Sequence, residues 1–332
     1  MGVPLVDLSW VDSKVVRISS SYKTEAFVSK FLDKCPVLKA GEHSSFFSVV
    51  PCSSTESVCL GRSGIGPPFF YMYTCLFADL HVSLPFDKFI MDVLRALYVA
   101  STQIHPNTWA SIQAFRLLCD VMRLHPSPFS FLSYYTSHPA QPVSWHSLIG
   151  QSGSVLFNSF VVSYKIFKES FVKVIVRPEA TTYFFDEAGW SQFPLYWTSQ
   201  PRDFKEWPRP MGGADELEIL SLFDALPRKL PTRRLIVHMP NWRDGRPLRV
   251  CVFISAIGRF CLLSSNTCNF FAEIMAQKSP AGPNILDAYK GGREKKASQH
   301  RCLRHNKRLE RPRWQRLNRT FQQVQKKAEG WC

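Results

Sequence analysis

Hydrophobic positions in the middle of the chain recur at the spacing of one helix face. Between residues 86 and 97, apolar side chains stand at i, i+3, i+4, i+7, i+8 and i+11, and the four charged residues all lie in the gaps between them. This pattern predicts a helix with one face in the core. The apolar positions are Phe86, Phe89, Ile90, Val93, Leu94 and Leu97, and the charged ones are Asp87, Lys88, Asp92 and Arg95.

Three further helices are predicted around this one. A helix beginning at Pro106 follows from the proline in its first turn, and another begins at the Ser127-Pro128 cap. A third is predicted upstream, ending before Leu84-Pro85 because the residue before a proline disfavours the helical region. Their apolar stripes are Ile112, Phe115, Cys119 and Met122, then Phe129, Leu132 and Tyr135, and upstream Phe70, Tyr73, Phe77 and Leu80.

Alternating apolar positions predict strands elsewhere in the chain. We expect them at residues 155–164, 171–176 and 15–19, and on both sides of a hairpin turn at 186–189 with Gly189 in the left-handed conformation. Two more helices are expected, at residues 25–32 and 217–226. The predicted fold class is therefore α+β: a helical bundle of about four to five helices with a small antiparallel sheet, followed by a basic, largely disordered tail.

Charge is distributed unevenly along the sequence. Residues 1–227 contain 18 Lys and Arg against 20 Asp and Glu, whereas residues 290–332 contain 14 against 3. Residues 228–250 are also basic, with 7 against 1, and residues 230–234 and 241–246 resemble surface turns. We predict an N-terminal extension at 1–66, a domain at 67–236, an irregular linker at 237–289 and the basic tail at 290–332, with a terminal helix near 316–328.

The ten cysteines contain no C-x-x-C pair. Cys302 with His300 and His305 comes nearest to a zinc spacing, but the surrounding arginines would repel a dication, so no metal and no cofactor are expected. Free, mostly buried thiols in a reducing compartment are predicted instead. The start of the chain lacks a signal-peptide pattern, and the apolar run 250–264 is too short to span a membrane. The expected location is nuclear or cytoplasmic.

Motifs of retroelement enzymes are missing from the sequence. It contains neither D-[ST]-G nor an Asp-Asp pair, and Ser152 lacks the G-x-S-x-G context of hydrolases. We interpret Asp87, Asp92 and Asp120 as residues on solvated helix faces, Asp186-Glu187 as turn residues, and His105 as a helix-cap residue.

The tail holds the clearest candidate for binding. Phosphate backbones attract basic segments by releasing counterions, and guanidinium and indole planes stack on exposed bases. The candidate nucleic-acid-binding residues are Arg301, Arg304, Lys307, Arg308, Arg311, Arg313, Trp314, Arg316 and Arg319. The alternative interpretation of this segment is a solvated tail, or a nuclear-import signal at Lys295-Lys296 and Lys307-Arg308.

Several stretches together resemble the gypsy-type transposon domain of plant retroelement-derived proteins. They are PPFFYMYTCLF at 67–77, LPFDKFIMDVLRAL at 84–97, HPNTW at 105–109, FKESFVKVIVRP at 167–178, FPLYWT at 193–198 and LPRKLPTRRL at 226–235. The resemblance covers about residues 67–236 and implies a non-enzymatic, gag-like or accessory domain without established catalytic residues. It leads us to expect assembly or partner binding, including self-association, with RNA or DNA bound through the tail. A transposase-like DNA-processing enzyme and a decayed element product without selected function are the alternatives.

Overall fold

The structure is a computed structural model that describes residues 7–35, 45–61, 66–122, 124–161, 164, 167–207 and 213–237. These residues form an α+β fold, which confirms the predicted class. They contain nine α-helices and five strands, more helices than predicted because several are only one turn long and leave no periodic signal. The helices are α1 (Ser13–Val16), α2 (Glu25–Lys34), α3 (Thr74–Ala78), α4 (Lys88–Leu97), α5 (Pro106–Met122), α6 (Pro128–Leu132), α7 (Thr181–Phe184), α8 (Ala214–Asp224) and α9 (Thr232–Val237).

A three-stranded antiparallel sheet is built around β5 (Phe171–Val176), as its alternating sequence predicts. β5 pairs with β1 (Phe47–Val50) on one side and with β2 (Phe69–Tyr73) on the other. Val172, Val174 and Val176 are buried on one face of this central strand. A separate two-stranded ladder joins β3 (Tyr135–Ser137) to β4 (Leu148–Gly150).

The helices α4 and α5 form where the periodicity placed them. Asp87 caps α4, its Oδ1 accepting a hydrogen bond of 2.9 Å from the Ile90 backbone N–H. Tyr98 ends the helix in the left-handed conformation, with φ of 54°. α5 is buried on several sides, and the fully buried Trp109 and Phe115 belong to it. It is therefore the central helix of the core.

Outside residues 155–197, four sequence predictions are wrong within the described residues. The helix expected over residues 70–80 is strand β2 followed by the short helix α3, because a run of consecutive apolar residues fits either structure and pairing with β5 decides between them. Tyr135 belongs to strand β3 rather than to α6. Residues 15–19 do not form a strand; Asp12 instead caps the one-turn helix α1. Residues 232–237 form α9 rather than a surface turn.

The segment between residues 155 and 197 contains less strand than expected. Phe157 makes a single parallel bridge to Leu230, and Val162 lies outside the described residues. The turn at 186–189 is present, with Gly189 at φ 81°, but only the Phe185–Ser191 bridge closes it, since the residues before it form α7. Phe193, Leu195 and Trp197 pack into the core without pairing as a strand.

The N-terminal residues share this core. Val15, Val28 and Phe31 are buried in the same hydrophobic cluster as α4 and α5. The Phe31 ring packs 6.1 Å from that of Phe77, centroid to centroid. Ser20 donates its hydroxyl to the carbonyl of Phe171 in β5. Residues before 67 therefore contribute both a strand and apolar side chains to the described fold.

Candidate functional site

An open cleft of about 460 Å³ lies between the loop that follows Phe157 and helix α9. We call it the arginine cleft. Among the described residues, its lining contains two guanidinium groups, two small polar side chains and three apolar residues, and no carboxylate. The lining residues are Asn158, Ser159, Phe160, Pro231, Arg233, Arg234 and Val237.

Backbone and side-chain hydrogen bonds hold the two walls of the arginine cleft together. The Leu230 N–H donates to the Leu156 carbonyl at 2.8 Å, and the Asn158 N–H donates to the Leu230 carbonyl at 3.0 Å. The Asn158 side chain then accepts from the Thr232 backbone N–H through Oδ1 at 3.0 Å, which satisfies a donor in the first turn of α9. Leu235 and Ile236 anchor the helix, which packs against α5. The cleft therefore has a fixed frame.

The two arginines of the cleft are exposed and make no salt bridge with any described residue. The Arg233 guanidinium carbon lies 6.0 Å from the centroid of the Phe160 ring, at the outer limit of a cation–π contact. Phe160 is in turn parallel to Tyr164, with an interplanar angle of 7° and centroids 6.3 Å apart. Partial burial raises the pKa of the Asp79 carboxyl, and the charges of His81 and Arg233 oppose that rise.

A Ser–His pair is the closest approach to a nucleophile and base in the described chain. The Ser137 Oγ lies 2.9 Å from His146 Nε2, but both residues are buried. Ser137 also bonds the Arg202 carbonyl at 2.5 Å. Because that carbonyl can only accept, the single hydroxyl proton points to it, and His146 must donate from Nε2. Burial lowers the pKa of His146 to about 4. The imidazole is thus not placed to remove the serine proton, and the pair is a structural contact.

A second polar cluster sits on the central strand. Lys173 of β5 makes a salt bridge with Glu56, and its Nζ lies 4.6 Å from the centroid of the Phe69 ring. The other carboxylate oxygen of Glu56 accepts from the Ser53 backbone N–H at 2.7 Å. Both oxygens of this acid are therefore occupied in joining the loop after β1 to the sheet.

Three of the acids considered in the sequence, Asp87, Asp92 and Asp186, make contacts within the fold. Asp87 is more than a solvated residue, because its second oxygen lies 2.6 Å from Nη1 of the largely buried Arg116. Asp92 pairs with Lys88 and Arg95 on the exposed face of α4, and Asp120 is exposed. Asp186 accepts from two backbone N–H groups of its own turn, as predicted.

His105 and the five cysteines of the described residues also follow the predictions, while the other five cysteines lie outside those residues. His105 Nδ1 accepts from the Asn107 N–H at 3.1 Å at the start of α5, and burial lowers its pKa. Cys35, Cys52, Cys59 and Cys119 are free and buried. Burial raises the pKa of Cys52 to about 12, so its reactive thiolate is scarce at neutral pH. No group of three or more potential metal ligands occurs in the part of the chain that the structure describes.

The predicted nucleic-acid-binding residues, from Arg301 to Arg319, lie outside the described residues, as do Cys302, His300 and His305.

The arginine cleft was not predicted from the sequence. The excess of basic residues after position 228 pointed to its Arg233 and Arg234. These two arginines lie beside Asn158, Ser159 and Phe160, some seventy residues earlier in the chain, because Phe157 and Leu230 form a bridge. No local sequence pattern predicts that contact.

Comparison with models of protein families, with curated proteins and with solved structures found no match to this chain. Among the described residues, no helix is both long enough and apolar enough to cross a membrane.

Proposed function

We propose that this chain is a non-enzymatic, retroelement-derived protein whose folded domain binds partners or copies of itself and whose basic tail binds RNA or DNA without strong sequence preference. The observation that carries the proposal is the separation of charge. Residues 228–332 contain 23 Lys and Arg against 6 Asp and Glu, while the preceding 227 residues are almost neutral. A polyanion is the partner that such a segment favours.

The roles of the acids support a non-enzymatic assignment. Two-metal nucleases and transposases need several carboxylates converging on one point. In the described fold Asp87 caps a helix and pairs with Arg116, Glu56 pairs with Lys173, and Asp186 closes a turn. These carboxylates lie on different elements and bind groups of the protein itself.

Fluorescence anisotropy with labelled single-stranded RNA and duplex DNA tests this function. The full-length chain would be compared with a full-length variant in which the eight basic tail residues between positions 301 and 319 are replaced by Gln. We expect affinity to fall steeply between about 50 and 200 mM salt, and to fall with a smaller slope in the variant. A variant with Lys in place of the tail arginines controls for charge and should retain the slope.

Failure of the whole chain to bind either nucleic acid at about 50 mM salt would sink the nucleic-acid part of this proposal. Binding that is insensitive to salt would contradict it equally, because counterion release must appear in the slope.

A further inference from the structure

We propose that the arginine cleft is a second nucleic-acid site, within the folded domain, that takes a nucleotide of a single strand. This inference rests on the proposed function and assigns part of the binding to residues 158–160 and 231–237. The cleft is open, and each polar side chain that lines it among the described residues can donate a hydrogen bond and carries a positive charge or none.

The hydrogen bonds that frame the cleft determine which groups remain for a ligand. The Thr232 backbone N–H can only donate, so the atom of Asn158 facing it is Oδ1. The part of that amide without a partner among the described residues is consequently its NH₂ group, which only donates. Ser159 is exposed beside it, and the guanidinium groups of Arg233 and Arg234 add donors with full charge. This set of donors matches a phosphate.

The aromatic wall favours a nucleotide over a simple anion. Phe160 lines the cleft, and both the parallel Tyr164 ring and the Arg233 guanidinium lie near its ring. Bases of single strands stack on aromatic rings and on guanidinium planes. In a duplex the base faces are already stacked on one another, so they cannot stack on Phe160. An acidic or phosphorylated peptide would bind Arg233 and Arg234 without stacking on Phe160.

The frame of the cleft makes this site testable without unfolding the protein. Arg233 and Arg234 are exposed and make no salt bridge with a described residue, so their removal breaks no ion pair of the described fold. The Arg233 charge does oppose the rise in the pKa of the Asp79 carboxyl. The test variant is the full-length Arg233→Gln/Arg234→Gln chain. The matched control is Arg177→Gln/Lys205→Gln, which removes two exposed charges elsewhere on the folded domain.

Binding of a labelled oligouridylate would be measured by anisotropy over a salt series, with both pairs also introduced into the tail variant described above. We expect the cleft pair to weaken binding about tenfold and to reduce the salt slope by about 1.4, the value for two phosphates of a single strand. The control pair should change affinity less than twofold. Equal effects of the two pairs would overturn the cleft proposal and leave tail binding intact.

A further variant separates the ring from the charge. Phe160→Leu keeps both arginines, so it should weaken oligouridylate binding several-fold while leaving inhibition by inorganic tripolyphosphate unchanged; Phe160→Tyr should retain RNA binding. Thermal unfolding would verify that Phe160→Leu is folded.

If an acidic peptide of equal charge competes for binding as well as the oligonucleotide does, the cleft is a general anion site and the assignment to nucleic acid is wrong. Absence of any nucleic-acid binding by the unaltered chain would instead reject the proposed function itself.

Discussion

His146 shows how a single buried side chain makes the fold sensitive to acid. Its Nε2 donates to Ser137, and its backbone is fixed on both sides, the N–H donating to Gln103 and the carbonyl accepting from His105. Nδ1 is buried and has no hydrogen-bond partner among the described residues. A proton added there would place a charge in the core, which explains why burial lowers the pKa of His146 to about 4.

The unfolded chain, with an ordinary histidine pKa, binds this proton at higher pH than the folded protein does. Stability from His146 is therefore complete above pH 6.5 and is lost as pH falls from 6.5 towards 4. We expect the free energy of unfolding to decrease by about 2 kcal/mol between pH 7 and pH 5 from this group, with His105 acting in the same direction. Urea unfolding at the two pH values measures it. His146→Gln should reduce the pH dependence, and an unchanged dependence would contradict the assignment.

Asp87 combines two stabilising contacts that substitutions can separate. Asn would preserve the cap on α4 while removing the charge opposite Arg116, whose side chain is 11% exposed. We expect Asp87→Asn to cost about 1–2 kcal/mol, between the values of surface and buried pairs, and Asp87→Ala about 1 kcal/mol more. Asp92→Asn is the control, because its partners Lys88 and Arg95 are 82% and 55% exposed. Chemical denaturation should give less than about 0.5 kcal/mol for it.

At the scale of elements, the central strand β5 should be much less tolerant than its neighbour at the edge. Val174 in β5 and Val49 in β1 stand opposite each other in the ladder, so the same substitution compares the two strands directly. Val174 is fully buried and Val49 is half-buried. We expect Val174→Ala to cost about 2 kcal/mol, from lost burial and the cavity left, and Val49→Ala less than about 1 kcal/mol. Equal costs in urea unfolding would show that burial does not distinguish these strands.

Elements with a complete local signal were predictable from the sequence, and those that depend on distant partners were not. The α4 stripe and the alternation in β5 each identified their element. β2 was mistaken for a helix because its five consecutive apolar residues have no period of their own, and its pairing with β5 lies a hundred residues away. α9 and the arginine cleft were missed for the same reason. Both require residues 156–158 to meet residues 230–232.

At the scale of the whole molecule, the buried contacts of α2 predict that residues before 67 unfold together with the central helices. Phe31 is 7% exposed and packs against Phe77 and Tyr22, whereas Phe27 on the same helix is 57% exposed. Phe31→Ala should therefore cost about 3 kcal/mol and Phe27→Ala almost nothing.

Hydrogen exchange in the Phe31→Ala variant shows which helices are destabilised, and this tests whether the N-terminal segment unfolds cooperatively with the rest of the fold. If it is, Phe31→Ala will speed amide hydrogen exchange in residues 106–122, at the centre of α5, as much as in α2 itself, because both exchange through the same global opening. Faster exchange confined to residues 25–34 would instead make the segment a separately unfolding extension. The first outcome follows from the sheet, since β1 supplies one neighbour of β5 and β5 cannot lose it without exposing its backbone.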